Sequence, residues 1–461
     1  MKRRILFYIS FSMILFSCTN EKGTEQIVNN NDQPLEMGFG VVDITGEEAF
    51  ILDPLNVKAI VFRQGSEEIA LIECDISIVD DSISIPARRE ASRITGIPFD
   101  NICVAATHTH MDEPHKKVVP AIVEAISNAH SSLRVVEMKS GIGTEFNVAF
   151  NRRYFMKNGT VKFNPMFLNP DIVRPVGPID PDVGFVMFHD AESKSPIASM
   201  TNYALHLDIV KEYGARYQDD GAGMENSVSA DYPYWLGKSL KELFGDNFNS
   251  IFFTGCCGNI NHWDFSKPGP QSGHKSKSKE VGDSLFQAIT RILPELKGEK
   301  PSLAAKRQVL QVPLHPYTEE DLKWAKEMQN EELSSKSEEM DERELFLERM
   351  LSNRILWTEK QKQLGVKDFL LLEVQVFRIS DRTAVVTLPG EMFVEHGMTI
   401  KNFSPFENTI VVELANKTIN YVPTKNAYLQ GGYEVVNSRV APGGGEMLVE
   451  AAIEMLRALE I

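Results

Sequence analysis

Ala105-Ala106-Thr107-His108-Thr109-His110-Met111-Asp112-Glu113-Pro114-His115 is the stretch on which the reading of this chain turns. Ile102-Cys103-Val104 before it is short and apolar, as a buried strand is, and the acidic residues and proline that follow read as a loop. In extended backbone, residues i and i+2 point to one side, so His108 and His110 are expected to project together from a strand end, with His115 shortly beyond. Two imidazoles so placed can divide the labour of a metal site, one holding the ion and one moving protons. They could equally be strand-end histidines in ordinary hydrogen bonds. The motif therefore points to a metal only if the rest of the chain brings further ligands.

Working outward, a second strand-like run, Ile197 to His206, again delivers a histidine where apolar residues stop, with Asp208 two positions on. Ser229-Ala230-Asp231-Tyr232-Pro233 leads into a helix expected to run through about Phe244. Ile251-Phe252-Phe253 reads as a strand ending in Thr254-Gly255-Cys256-Cys257-Gly258-Asn259-Ile260-Asn261-His262, a turn dense in Gly, Asn and Cys. Adjacent Cys256 and Cys257 lack the second pair that a zinc knuckle requires and are read as packing residues under that turn. Cys74 and Cys103 lie in apolar runs, as buried thiols do.

The remaining elements follow the same logic. Met37 to Thr45 is a glycine-softened strand, and Val57–Phe62 with Ile69–Cys74 reads as a hairpin around Gln64-Gly65-Ser66. Helices are expected at Ser84–Thr95, Val118–His130, Glu280–Leu293, from Met392, and at Glu446–Leu459. Phe369–Ile379 and Thr383–Leu388 pair around Asp381-Arg382, and Thr409–Leu414 is a further strand. Tyr317–Leu364, rich in Glu and Lys, reads as a pair of surface helices, or else as a lid or interaction arm. Mixed strands and helices in this order imply an α+β or mixed α/β fold, with a layered sheet core flanked by helices. There is no internal repeat and no glycine-rich phosphate loop.

Lys2, Arg3 and Arg4 followed by the apolar run Ile5–Phe16 read as an export signal, too short to span a bilayer. Leu15-Phe16-Ser17-Cys18 has the form of a bacterial lipobox, which makes residues 1–18 a lipoprotein signal peptide and Cys18 the lipidated anchor on the exported face of a cell-envelope membrane. Plain secretion is the alternative. Residues 19–34 are polar, as a flexible tether is, and 35–461 remain for a single large domain. The formal charge of -16 argues against nucleic acid as a partner, because phosphates require a basic footprint.

Four stretches together resemble one family, the neutral (non-lysosomal) ceramidases and their bacterial relatives. Ala106-Thr107-His108-Thr109-His110 is similar to the family's zinc-site strand and Asn202-Tyr203-Ala204-Leu205-His206 to its second histidine segment. Leu388-Pro389-Gly390-Glu391 resembles its glutamate loop, and Asn420-Tyr421-Val422-Pro423-Thr424 its metal-site tyrosine segment. The matches run in family order over nearly the whole of residues 37–461. The resemblance implies a single catalytic domain with Zn²⁺ held by His108, His206, Glu391 and Tyr421. It also implies His110 as the second site histidine, Arg152 as the arginine facing the substrate carbonyl, and Tyr433 as a pocket residue. Outside that frame Glu391 reads as a helix-start carboxylate, Tyr421 as a core aromatic and Arg152 as a surface ion pair.

Two departures accompany the resemblance. The family carries a serine in a Gly-Asp-x-Ser-Pro turn against the scissile amide, whereas Gly258-Asn259-Ile260-Asn261-His262 places Asn261 there. An amide can donate a hydrogen bond but is neither nucleophile nor proton shuttle. The family's C-terminal β-sandwich-like domain also has no counterpart in these residues. The expectation is a zinc-dependent hydrolase of an N-acyl amide, with Arg152 and Asn261 facing the developing oxyanion and His110 as general acid. His262 and Asp231 are second-rank polar candidates. The substrate is small or lipid-like and not necessarily ceramide. An ester or glycan-derived substrate, or a lipid-anchored binding protein without catalysis, are the alternatives.

Overall fold

The computed structural model describes residues 33–46, 50–112, 117–210, 227–269, 274–329 and 342–460. The expected signal segment with Cys18, most of the expected tether, and Glu113 to His115 lie outside these residues. Among the described residues no helix is long and apolar enough to cross a membrane.

Two sheets form the centre. The larger has nine strands and runs, edge to edge, Asn249–Thr254, Pro196–Tyr203, Asp182–Asp190, Arg134–Thr144, Glu36–Asp43, Asn56–Gln64, Glu67–Cys74 and Ile102–Ala106, with Lys297–Gly298 alongside Arg134–Thr144. The smaller has four strands: Pro301–Pro313, Phe369–Ser380, Thr383–Thr387 and Asn408–Val412. Phe62, Phe188, Met200 and Phe253 of the larger sheet pack against Phe377, Val385, Ile410 and Val412 of the smaller, so the sheets share one apolar interface. Helices cover both outer faces. Asp81–Thr95 and Val118–Ser131 lie on one half of the large sheet and Tyr232–Phe244 with His274–Ile292 on the other; Val394–Phe403 and Gly444–Ala458 cover the small sheet. The layering is helix, sheet, sheet, helix, a mixed α+β architecture as expected.

The glycine-softened strand has a packing reason. A Cβ on Gly38 would fall 1.9 Å from the Ala129 carbonyl oxygen, and one on Gly40 2.1 Å from that of Ala125. The helix Val118–Ser131 thus rests its backbone directly on this strand.

Within the two central sheets most strand neighbours are antiparallel, but three pairs are parallel, and these place the site. Glu67–Cys74 pairs with Ile102–Ala106, Pro196–Tyr203 with Asn249–Thr254, and Thr383–Thr387 with Asn408–Val412. Each pair is joined across a helix, because parallel neighbours need a crossover. Their carboxyl ends are sewn together: Thr254 Oγ1 donates to the Thr107 carbonyl at 2.8 Å, Glu413 N to the Thr254 carbonyl at 3.1 Å, and Asn202 Nδ2 to the Val411 carbonyl at 3.0 Å. A crevice beyond the carboxyl ends of parallel strands is where α/β folds put their ligands.

The charged segment is indeed a pair of helices, Glu319–Met328 and Glu342–Gln363. It is less purely superficial than expected, since Leu322, Ala325 and Ile355 form a small buried core of their own with Tyr317 and Trp324.

Candidate metal centre

The strand Ile102–Ala106 ends before His108, so the two histidines meet as expected but through a turn and not through strand alternation. His108 adopts φ 74°, a left-handed turn that a bulky side chain takes only when its surroundings impose it. The turn is held by His108 N donating to the Ile76 carbonyl at 3.0 Å, and by the Asp112 carboxylate accepting from Ser77 N at 2.8 Å. The result is that His108 is buried, whereas His110 is exposed on the same cluster. His108 Nδ1 donates to the Ser77 carbonyl at 2.6 Å, which leaves Nε2 as the lone-pair nitrogen facing the site.

His206 also lies beyond its strand, which stops at Tyr203. Asp231 positions this segment: its carboxylate accepts from Ile209 N at 3.0 Å, Val210 N at 3.2 Å and Tyr232 N at 2.7 Å, capping the following helix. Asp231 is therefore a positioning group rather than a source of site polarity. His206 Nδ1 donates to the Cys257 carbonyl at 3.3 Å, so its Nε2 also faces inward.

The two Nε2 atoms stand 3.1 Å apart, and Glu391 Oε2 lies 3.4 Å from that of His108 and 3.7 Å from that of His206. Donors about 2.0–2.1 Å from a tetrahedral ion lie roughly 3.3 Å from one another, so these three atoms are spaced as ligands of one cation. Glu391 Oε2 is buried and receives no hydrogen bond. Two inward lone pairs and an orphaned carboxylate oxygen repel one another unless a positive charge lies between them. Burial disfavours a charge on His108, but the Glu391 carboxylate outweighs it and lifts the imidazole to about 9. Burial would raise Glu391, and His108 in turn holds it below the ordinary carboxylate range. His206, pushed far down by burial and by His108, stays neutral. This donor set fits a divalent cation of the zinc kind, which would displace the shared proton.

His110 completes a three-histidine group, its ring centroid 4.9 Å from that of His108 and 5.5 Å from that of His206. It is the exposed member of the three, on the open side of the cluster.

Glu391 is not the first residue of a helix. Glu391–Met392 forms a two-residue parallel ladder with Tyr421–Val422, and the helix begins at Val394. Gly390 turns into that ladder at φ 73°, where a Cβ would meet Ile419 and the Asn420 carbonyl. The Tyr421 ring lies 5.2 Å from the Arg152 guanidinium and 5.4 Å from the Tyr433 ring, with Glu391 its register partner in the ladder. Burial pushes the Tyr421 pKa well above the usual phenol value.

Arg152 is buried, not on the surface. Its Nε donates to Glu434 Oε1 at 2.9 Å and its Nη2 to the Gly258 carbonyl at 2.8 Å, with the guanidinium 5.2 Å from the Tyr421 ring. Arg153 takes the other Glu434 oxygen at 2.8 Å, so two arginines share one fully buried carboxylate. Tyr433 stacks between Phe163 at 4.7 Å and Phe346 of the helix Glu342–Gln363 at 5.8 Å. Arg343, one turn before Phe346, lies 4.6 Å over the Phe163 ring and donates to the Asn164 carbonyl at 3.2 Å. The charged helix thus forms one wall of the site.

Asn261 points its amide at Asn164 Oδ1 at 2.7 Å, while its own oxygen accepts from Trp263 N at 3.0 Å. It ties the turn to the Phe163 strand. His262 pairs with Asp208 at 3.2 Å, both buried. Glu413 is the residue that sequence reading passed over. Wholly buried, it accepts from Met392 N at 2.7 Å, Cys257 N at 3.2 Å and Cys257 Sγ at 2.9 Å, and burial lifts its pKa to about 8. Cys257 is therefore more than packing: it joins the His206 and Glu391 supports through one carboxyl group.

Compared with solved structures, the chain is similar to a neutral ceramidase from Pseudomonas aeruginosa, with TM-score 0.67 and 17% identity over 93% of this chain and 75% of that one. A ceramidase complexed with C2 matches with TM-score 0.66 and 17% identity, over 93% and 75% of the two chains. The fold is thus of neutral-ceramidase type. No family model and no curated protein sequence matches the chain.

Proposed function

We propose that this chain is a metal-dependent hydrolase of N-acyl amide bonds with zinc as its ion. The observation that carries the reading is the convergence of His108 Nε2, His206 Nε2 and the orphaned Glu391 Oε2 within 3.1–3.7 Å. The fold shared with ceramidases supports an amide as the bond attacked. His108, His206 and Glu391 would hold the ion, with the Tyr421 hydroxyl at its edge. A zinc ion there supplies Lewis acidity that polarises a carbonyl and acidifies water. His110 is assigned proton transfer and not ligation: it is the exposed member of the cluster, accessible to a leaving amine. Arg152, its plane fixed by Glu434 and Gly258, orients the Tyr421 hydroxyl and puts a permanent positive charge where oxyanion character develops. Asn261 acts by shaping the wall through Asn164.

With an asparagine in place of the serine, and Phe346 stacked on the wall, the substrate we favour is an N-acyl amide or acylated sugar other than long-chain ceramide. Zinc-loaded protein screened against ceramides, N-acyl amino acids and acylated sugars tests this, with His110→Ala as control. Robust ceramide turnover that the control loses would refute the altered specificity. A ligand that raises the melting temperature but is never turned over would favour a binding protein. We also propose that Cys18 anchors the protein by lipidation on the exported side. Cys18→Ser should release it to the soluble fraction, and persistent membrane attachment would contradict the anchor.

A further inference from the structure

A cavity of about 940 Å³ lies between the helix Glu342–Gln363, the strand Phe369–Ser380, the loop before Tyr421 and the start of the helix Asp81–Thr95. None of His108, His110, His206, Glu391 or Arg152 lines it. Its floor is apolar, with Trp357, Phe369, Leu371 and Ile419 among the lining residues. Its charges are unevenly satisfied. Lys417 pairs with Asp81 at 2.7 Å, and Asp80 is committed to capping the helix Asp81–Thr95. Arg439 has no acidic partner and no side-chain hydrogen bond among the described residues. Its guanidinium lies 4.2 Å over the Trp357 ring. It is largely withdrawn from water, and burial pulls its pKa below the ordinary arginine value. A desolvated cation of this kind, stacked on an indole and lining an open cavity, gains most from an anion delivered on an apolar body.

We propose that this cavity is a second ligand site, distinct from the metal centre, that binds a carboxylate amphiphile with its head on Arg439 and its apolar body on Trp357, Phe369 and Leu371. The site does not depend on the hydrolase reading. It does share walls with the metal centre. Ile78 follows the residue whose carbonyl fixes His108, and Lys417 accepts from Gly390 N at 3.1 Å just before Glu391.

Decanoate, 1-decanol and decyltrimethylammonium titrated calorimetrically into the full chain test the proposal. Decanoate should bind one per chain, and the alcohol and the cation at least about tenfold more weakly. Arg439→Gln should cost decanoate about tenfold or more, and Arg439→Lys should retain most of the affinity. Leu371 is exposed, so Leu371→Asp puts a like charge on the wall without disturbing the core, and it too should weaken decanoate. His108→Ala should leave decanoate affinity unchanged. The proposal is overturned if decanoate does not bind, if Arg439→Gln and Leu371→Asp both bind it as the wild type does, or if His108→Ala abolishes binding and so places the ligand in the metal centre.

Discussion

Glu391 and Tyr421 are register partners in a parallel ladder only two residues long. Backbone pairing therefore sets a carboxylate beside a phenol at the edge of the histidine cluster, before any side-chain contact is counted. Glu391 Oε2, buried and without a hydrogen bond, is left to face the cation that the two histidines would share. Tyr421→Phe should keep the fold and weaken metal affinity by about 10–100-fold, the usual cost of losing a group that orients a ligand. Competition with a chromogenic chelator measures it, and unchanged affinity would place Tyr421 outside the metal's surroundings.

Glu413 supports both ligand segments, so its removal should be felt as stability. Glu413→Ala leaves Met392 N, Cys257 N and the Cys257 thiol without an acceptor in a dry interior. The expected loss is about 2–4 kcal/mol in urea unfolding, while Glu413→Gln, which keeps an acceptor oxygen, should lose less. Equal losses would show that the carboxyl group acts by volume alone.

Asp53 contributes one share of the pH dependence, beside Asp231 and Glu413, whose pKa values burial also raises. The Asp53 oxygens accept from Ser229 Oγ at 2.7 Å and Ala230 N at 2.5 Å, yet burial lifts its pKa from 3.8 to about 7. Between those values the unfolded chain has lost this proton and the folded chain retains it. Stability from this group is therefore full below about pH 4 and is lost as pH rises toward 7, at up to about 1.4 kcal/mol per pH unit. Asp53→Asn should make the pH slope shallower by that share, leaving the part due to Asp231 and Glu413. Urea titrations from pH 5 to 7 on both proteins measure it, and parallel curves would contradict the assignment.

Phe346 tests the wall. It stacks on Tyr433 but stays 41% exposed, enough to meet a substrate. Phe346→Ala should raise KM for substrates with a bulky group beside the amide by about tenfold and leave metal content unchanged. An effect on kcat alone would indicate that the helix acts by ordering Tyr433.

The sequence made the strands legible through their apolar runs, and the Gln64-Gly65-Ser66 hairpin and the Asp81–Thr95 helix follow the expected pattern closely. The convergence of His108, His206 and Glu391 was legible only through the family resemblance, because nothing local says which strand ends meet. The left-handed turn at His108 was not legible at all: it is imposed by the Ile76 and Ser77 carbonyls, about thirty residues upstream. Arg152 looked superficial because its partner, Glu434, is 282 positions away. Glu413 did leave a signal, an acid inside the apolar run Thr409–Leu414, and an ionisable group in such a run marks a buried carboxylate with a task.

His108, His206 and Glu391 are proposed to hold a catalytic ion while His110 stands beside it. Metal content by plasma mass spectrometry, on protein loaded with zinc and then desalted, tests this most directly. The expected result is one zinc per wild-type chain, near-complete loss in His108→Ala and Glu391→Ala, and retention in His110→Ala with hydrolysis abolished. Wild-type protein that retains no zinc, or a His108→Ala variant that retains it fully, would contradict the account.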